Sequence, residues 1–150
     1  APASASQAQT DGTALFQLVD EAVIRGLALS ANGESQSCMG VAQGDFDHNG
    51  SIDVYVTNFI NEYNTVYCQT SQGMFQDRSR VFGTIEMHRD TVGFGTQAMD
   101  FEADGMTDLL VLNGHVDDYL EADLAFRMRP TVWREVDGKF VQADTRDYGE

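Results

Sequence analysis

The stretch that decides the fold is Asp45-Phe-Asp-His-Asn-Gly-Ser-Ile-Asp53, or DFDHNGSID. Side chains that carry oxygen stand at its positions 1, 3, 5 and 9, and a glycine stands at position 6. Calcium takes about six to eight oxygen ligands in a flexible geometry, whereas magnesium demands a stricter octahedron. Glycine permits the positive φ that would turn the chain around an ion. The stretch therefore predicts a calcium loop, and an acidic surface turn without an ion is the alternative.

The loop occurs a second time, 55 residues further along (95 − 40). The segment from Gly40 to Asn58 aligns with the segment from Gly95 to Asn113 without a gap. The similarity continues downstream of the loops, at Gly73-Met-Phe75 and Gly138-Lys-Phe140, and Asp11-Gly-Thr-Ala-Leu-Phe16 is a weaker third copy of that later part, which predicts the last strand of a preceding unit. Repetition of the carboxylate spacing together with the glycine favours two calcium ions over two unrelated turns. Met106 and Ser51 are expected to contribute backbone carbonyl oxygens. The predicted ligands are Asp45, Asp47, Asn49, Ser51 and Asp53 in the first loop, and Asp100, Glu102, Asp104, Met106 and Asp108 in the second.

The flanking residues predict strands and not the helices of an EF-hand. An EF-hand loop ends in a bidentate Glu at position 12, but Val56 and Val111 stand there. Short β-branched and aromatic runs bounded by Gly and Asn are strand signals, and Val54-Tyr-Val-Thr57 is such a run. Each loop is therefore expected to join two antiparallel strands of an all-β protein.

With these residues in view, the chain resembles the FG-GAP/VCBS repeat, the calcium-binding blade motif of integrin-type β-propellers. The stretches Leu110-Val-Leu-Asn-Gly-His-Val116, Asn64-Thr-Val-Tyr67 and Gly138-Lys-Phe-Val141 are similar to motifs of the ASPIC/UnbV group, which includes cartilage acidic protein. The resemblance covers about residues 15–141. It departs from the usual pattern at Glu102 and Asn49, which stand where Asp is more usual.

The resemblance implies about two four-stranded propeller blades plus a strand of a preceding blade, with a calcium loop between the first two strands of each blade. The expected organisation is a flexible tail over 1–13 and a propeller segment over 14–150, with a strand at 14–20 and blades at 36–80 and 92–145. Closed propellers generally have about four to eight blades, and two cannot close. We expect a fragment of a longer propeller; a ring of several chains and an open sheet pair are the alternatives.

The composition bears on partners and location. Asp and Glu number 24 against 9 Lys and Arg, a net charge of −15. Nucleic-acid binding requires a basic surface, so no nucleic-acid partner is expected, and no apolar run is long enough to insert in a membrane. The Ala- and Ser-rich start and the single lysine are typical of an extracytoplasmic protein, whether secreted, periplasmic or at the cell surface. A protein or carbohydrate partner is expected, as is self-association through exposed blade edges.

The remaining residues carry weaker signals. Cys38 and Cys68 are expected to be separately buried thiols, with a disulfide as the alternative, and Trp133 is expected in the core. Leu120, Leu124 and Met128 predict a short helix over 117–129. His48 is expected to point away from the ion, and a structural role in a turn is expected for His115.

We expect no catalytic site, because no catalytic motif is present in the sequence. The predicted function is a calcium-stabilised propeller segment for binding, adhesion or assembly. The alternatives are part of a propeller lyase or hydrolase acting on carbohydrate, and a purely architectural subunit that self-assembles.

Overall fold

A computed structural model describes residues 18–70, 73–86, 91–118 and 125–144. In these ranges the chain forms two separate four-stranded antiparallel sheets, which do not close into a barrel. Strands follow one another in chain order, β1-β2-β3-β4 in the first sheet and β5-β6-β7-β8 in the second. The predicted all-β class is confirmed. The strands are β1 (Val41–Gly44), β2 (Asp53–Val56), β3 (Thr65–Gln69), β4 (Phe75–Asp77), β5 (Gly93–Met99), β6 (Asp108–Asn113), β7 (Thr131–Val136) and β8 (Lys139–Gln142).

The two sheets repeat the same register at the loop. Gly44 pairs with Asp53 where β1 leads into β2. Met99 pairs with Asp108 where β5 leads into β6, which is the same pair of positions shifted by 55 residues. The loops therefore connect the first two strands of each sheet, as the sequence predicted. The second copy differs by a register shift in β5 between Gly93 and Thr96.

The hydrophobic core lies between the sheets. Tyr55 and Val66 of the first sheet and Leu109 and Val111 of the second have no exposed surface. Trp133 is 5 % exposed and belongs to the same cluster, which confirms its predicted place in the core. Burying each large apolar side chain contributes about 1.5–3 kcal/mol. The contact between sheets thus stabilises both of them.

Contacts between aromatic rings and one hydrogen bond also contribute to the interface between the sheets. The ring of Phe140 packs against Phe46 at a centroid distance of 5.8 Å and against Phe82 at 5.6 Å. Directly after β2, the hydroxyl of Thr57 donates a hydrogen bond of 2.8 Å to the carbonyl oxygen of Phe94 in β5. The two sheets are therefore held together by side chains of both apolar and polar type.

The opposite face of the first sheet is covered by the segment that precedes it. The hydroxyl of Tyr67 donates to the carbonyl oxygen of Leu29 at 3.3 Å, and the amide of Ala31 donates to Asp77 at 2.7 Å. This segment contains a one-turn helix, α1 (Ala22–Arg25), and a second short helix, α2 (Ser79–Phe82), follows β4. All of β3 except its last residue is buried, because the strand is covered on both faces.

Some predictions fall partly or wholly outside the described residues. The tail over 1–13 lies outside them, and of the strand predicted at 14–20 only 18–20 are described, where no strand forms. Residues 119–124 of the predicted helix also lie outside, and the described parts of 117–129 contain no helix. No helix among the described residues is long and apolar enough to cross a membrane.

The cysteines differ from the prediction of two buried thiols. Both are free, but Cys38 is exposed and only Cys68 is buried. Cys38 precedes β1 and is exposed, whereas Cys68 belongs to the buried run Thr65–Cys68 of β3.

Candidate metal-binding loops

Each loop turns through two residues with positive φ. These are His48 (56°) and Gly50 (82°) in the first loop, and Ala103 (56°) and Gly105 (89°) in the second. The glycine at position 6 is explained by this conformation, which costs glycine little. The positive φ at position 4 was not predicted, because His and Ala give no sequence signal for it.

The carboxylate at position 1 accepts hydrogen bonds from backbone amides of its own turn. Asp45 accepts hydrogen bonds from the amides of Asn49 at 3.0 Å and Gly50 at 2.9 Å. Asp100 accepts the equivalent bonds from Asp104 at 3.1 Å and Gly105 at 2.8 Å. Bonds of this kind stabilise the charged form of a carboxyl. The bond from Gly105 is the largest cause that lowers the pKa of Asp100 below its usual value.

The carboxylate at position 9 is buried and joins the loop to the third strand of its sheet. Asp53 has no exposed surface, and its two oxygens accept bonds from the amides of Phe46 at 2.9 Å and Gln69 at 2.7 Å. Burial is the main cause that raises the pKa of Asp53, and these two bonds oppose it. This bracing role was missed by the sequence reasoning, since Gln69 is distant in the chain.

The second loop repeats the bracing contact. Asp108 is 2 % exposed and accepts bonds from the amides of Phe101 at 3.1 Å and Glu135 at 3.0 Å. The residues at position 9 are thus fixed by backbone donors in both sheets. Each loop is therefore held in shape by its own chain.

The side chain at position 5 also folds back on its loop. Asn49 accepts a bond from the amide of Ser51 at 2.7 Å, and Asp104 accepts one from the amide of Met106 at 2.9 Å. Asn49 also donates to the carbonyl oxygen of Gln69 at 3.1 Å. The predicted metal contacts of the Ser51 and Met106 carbonyl oxygens stay a prediction.

Position 3 is where the two loops differ. Asp47 stays over its own loop, where it accepts a bond from the amide of Asn49 at 3.3 Å. Glu102 instead forms an ion pair with Arg134 of β7. The first loop thus keeps all its acidic side chains near the turn, whereas the second shares one with a neighbouring cation.

The first loop fits a hard cation. Ligand atoms of Asp47, Asp53 and Cys68 all lie within 4.8 Å of one another. Two oxygens that bind one calcium ion at about 2.3–2.6 Å lie no more than about 5 Å apart. The two carboxylates therefore meet the geometric requirement, and Asp45 and Asn49 lie in the same turn.

Cys68 was not predicted near the loop. Thiolate sulfur is a soft ligand and suits metals other than calcium. Burial is the main cause that raises the pKa of the Cys68 thiol well above its usual range, so at neutral pH the group is an uncharged thiol. It lines the inner side of the loop and supplies no charge there.

The first loop also touches the second sheet. The Nε2 atom of His48 lies 3.4 Å from a carboxylate oxygen of Glu135, whose side chain is only 1 % exposed. The other oxygen of Glu135 accepts a bond from the amide of Gly138 at 2.5 Å. His48 therefore reaches across the boundary between the sheets. The ring of His115 instead packs near Phe59, with centroids 5.8 Å apart.

A comparison with models of protein families gives a match. The model of the FG-GAP-like repeat family matches residues 45–111, a range that begins at the first residue of the first loop and includes the whole of the second. A comparison with curated proteins finds no match. The part of the chain that contains both loops is therefore similar to FG-GAP repeats, and this match supports the FG-GAP repeat family for the protein.

Proposed function

We propose that the protein is a calcium-stabilised segment of a β-propeller that serves binding, adhesion or assembly and not catalysis. The observation that carries this proposal is the first loop, where carboxylates are held by backbone amides around a turn and approach one another closely enough to share one ion. The FG-GAP match over both loops supports the propeller-like architecture. The finer relationship to the ASPIC/UnbV group is part of the proposal.

Asp45, Asp47, Asn49 and Asp53 would hold the ion in the first loop. A calcium ion would offset the repulsion among three carboxylates, and the loop would need little ordering because backbone bonds already fix it. With a Kd of about 10⁻⁴ M, typical of extracellular modules, 1 mM calcium would stabilise the folded chain by about 1.4 kcal/mol. Since His48 contacts Glu135, an ordered first loop would also stabilise the boundary between the sheets.

An extracytoplasmic location is proposed on the same chemistry, because sites of this affinity are filled where calcium is millimolar. The partner class is proposed as protein or carbohydrate, or a further copy of the chain. One observation supports association. Leu112 and Val141 alternate with buried residues of β6 and β8, and each remains about half exposed. Apolar side chains that share an open face of a sheet favour contact with another surface.

A thermal melt tests the proposal. The chain is melted in EGTA, in 1 mM calcium and in 1 mM magnesium, with its mass measured by light scattering in each buffer. A rise in Tm that is specific for calcium is expected, and Asp47→Asn should remove it. Glu34→Gln removes one carboxylate outside both loops and should keep the rise. Equal Tm values in all three buffers would refute the calcium proposal.

A further inference from the structure

We propose that Arg134 acts as a built-in cation for the second loop, so that the chain takes up one calcium ion and not two. The guanidinium of Arg134 pairs with the position-3 carboxylate Glu102. The part of the inference that concerns the first loop rests on the function proposed above. The part that concerns the second loop does not, and it is tested separately.

The bonds to the position-9 carboxylates show which residue of the first sheet corresponds to which residue of the second. Gln69 and Glu135 each donate a backbone bond to the position-9 carboxylate of their own loop. The residues that precede them, Cys68 and Arg134, therefore occupy equivalent places on the third strand of each sheet. In both sheets this place lies next to the position-3 side chain of the loop.

The residue at this place decides what the position-3 carboxylate contacts. In the first sheet the short side chain of Cys68 stands at this place, and Asp47 remains close to Asp53, with ligand atoms within 4.8 Å. In the second sheet Arg134 offers a permanent positive charge, and the longer side chain of Glu102 reaches it. Among the described residues, no matching group of three acidic, thiol or imidazole ligands is found at the second loop.

An arginine paired in this way replaces the metal at position 3. Ion pairs between guanidinium and carboxylate combine charge attraction with hydrogen bonding. The Nε atom of Arg134 is buried, whereas the side chain as a whole is 42 % exposed and that of Glu102 is 28 % exposed, so the pair lies at the protein surface. A divalent cation at the second loop would have to displace Glu102 from this pair and then bind beside a positive charge. The other loop carboxylates, Asp100 and Asp108, accept backbone bonds equivalent to those in the first loop, so the pair at position 3 is what distinguishes the second loop.

The test counts the calcium ions bound. The full chain is stripped with EGTA, and stoichiometry is measured by titration calorimetry and by native mass spectrometry in calcium acetate. Wild type is expected to bind one ion and Arg134→Gln two, since the substitution removes the guanidinium that pairs with Glu102 and adds no charge. Arg127→Gln, which removes an equal charge from an exposed position, should bind one.

A second pair of variants covers the case in which Arg134→Gln folds poorly. Glu102→Gln should leave the wild-type count unchanged, because Glu102 is not a ligand in the intact chain. Asp47→Asn should lower the count by one. Two ions in wild type, no gain in a folded Arg134→Gln chain, or a lower count in Glu102→Gln would each overturn the inference. A count of zero in wild type and one in Arg134→Gln would support the inference while refuting the calcium site proposed for the first loop.

Discussion

The bracing role of Asp53 gives the sharpest prediction, through the substitution Asp53→Asn. The side chain has no exposed surface, and its two oxygens accept bonds from the amides of Phe46 and Gln69. Asparagine keeps the shape but replaces one oxygen with an NH₂ group. One of the two buried amides then loses its acceptor and faces another donor.

The size of the effect follows from these two bonds. A buried donor left without an acceptor costs about 1–3 kcal/mol. Removing the charge offsets part of this cost, because burial already disfavours the ionised form of Asp53. We expect a net loss of about 2 kcal/mol in the free energy of unfolding. For a chain of this size that corresponds to a fall in Tm of about 4–8 °C.

Equilibrium urea unfolding and thermal melts in EGTA measure the loss without any contribution from metal. Asp47→Asn is the matched control, since it makes the same chemical change in an exposed side chain of the same loop. We expect it to change stability by less than about 0.5 kcal/mol in EGTA. The reasoning is refuted if Asp53→Asn is as stable as wild type, or if both variants lose the same amount.

Three other predictions concern the described core and its boundary. Ellman's reagent at pH 8 should label Cys38 rapidly and Cys68 only after denaturation. Burial raises the pKa of the Cys68 thiol, so little of the reactive thiolate forms. Rapid labelling of two thiols in the folded protein would contradict this. Burial raises the pKa of Tyr67 to about 12, so the folded state holds this proton more tightly, and stability should fall as the pH rises from 10 through 12. The free energy of unfolding measured over that pH range should fall less in Tyr67→Phe than in wild type. The same pH dependence in both proteins would argue against a raised pKa at Tyr67. Gly40→Ala should cost about 1–3 kcal/mol, because its Cβ would lie 1.9 Å from a carbonyl oxygen of β5. Gly114→Ala, whose Cβ would meet nothing closer than 3.5 Å, should cost clearly less in the same urea titration, and equal losses would count against a tight fit at the sheet boundary.

The loops could be predicted from sequence because their contacts are local. Asp53 bonds to an amide seven residues away, and Asp45 bonds to amides four and five residues away. The spacing of the oxygen-bearing side chains and the position of the glycine therefore predict the shape of the turn. The same holds for the flanking strands, since β-branched and aromatic runs predict them from short-range pattern alone.

The contacts between distant residues could not be predicted in this way. His48 and Glu135 are 87 residues apart, and nothing in the sequence around either residue indicates that they meet. A four-residue recurrence of apolar side chains predicted a helix over 117–129, but the described residues 117–118 and 125–129 contain no helix, and Arg127 instead forms a bridge with Gly114. Local pattern is a weak guide where long-range pairing decides the backbone.

The sequence by itself determined two repeated acidic turns, each between antiparallel strands, because spacing within nine residues is a local property. Only the tertiary structure decided that the turns differ. It places an uncharged thiol, Cys68, beside the first loop and a guanidinium, Arg134, beside the second. The physical reason is that the third strand of each sheet brings its side chains to the loop through sheet pairing, and that pairing joins residues which the sequence separates.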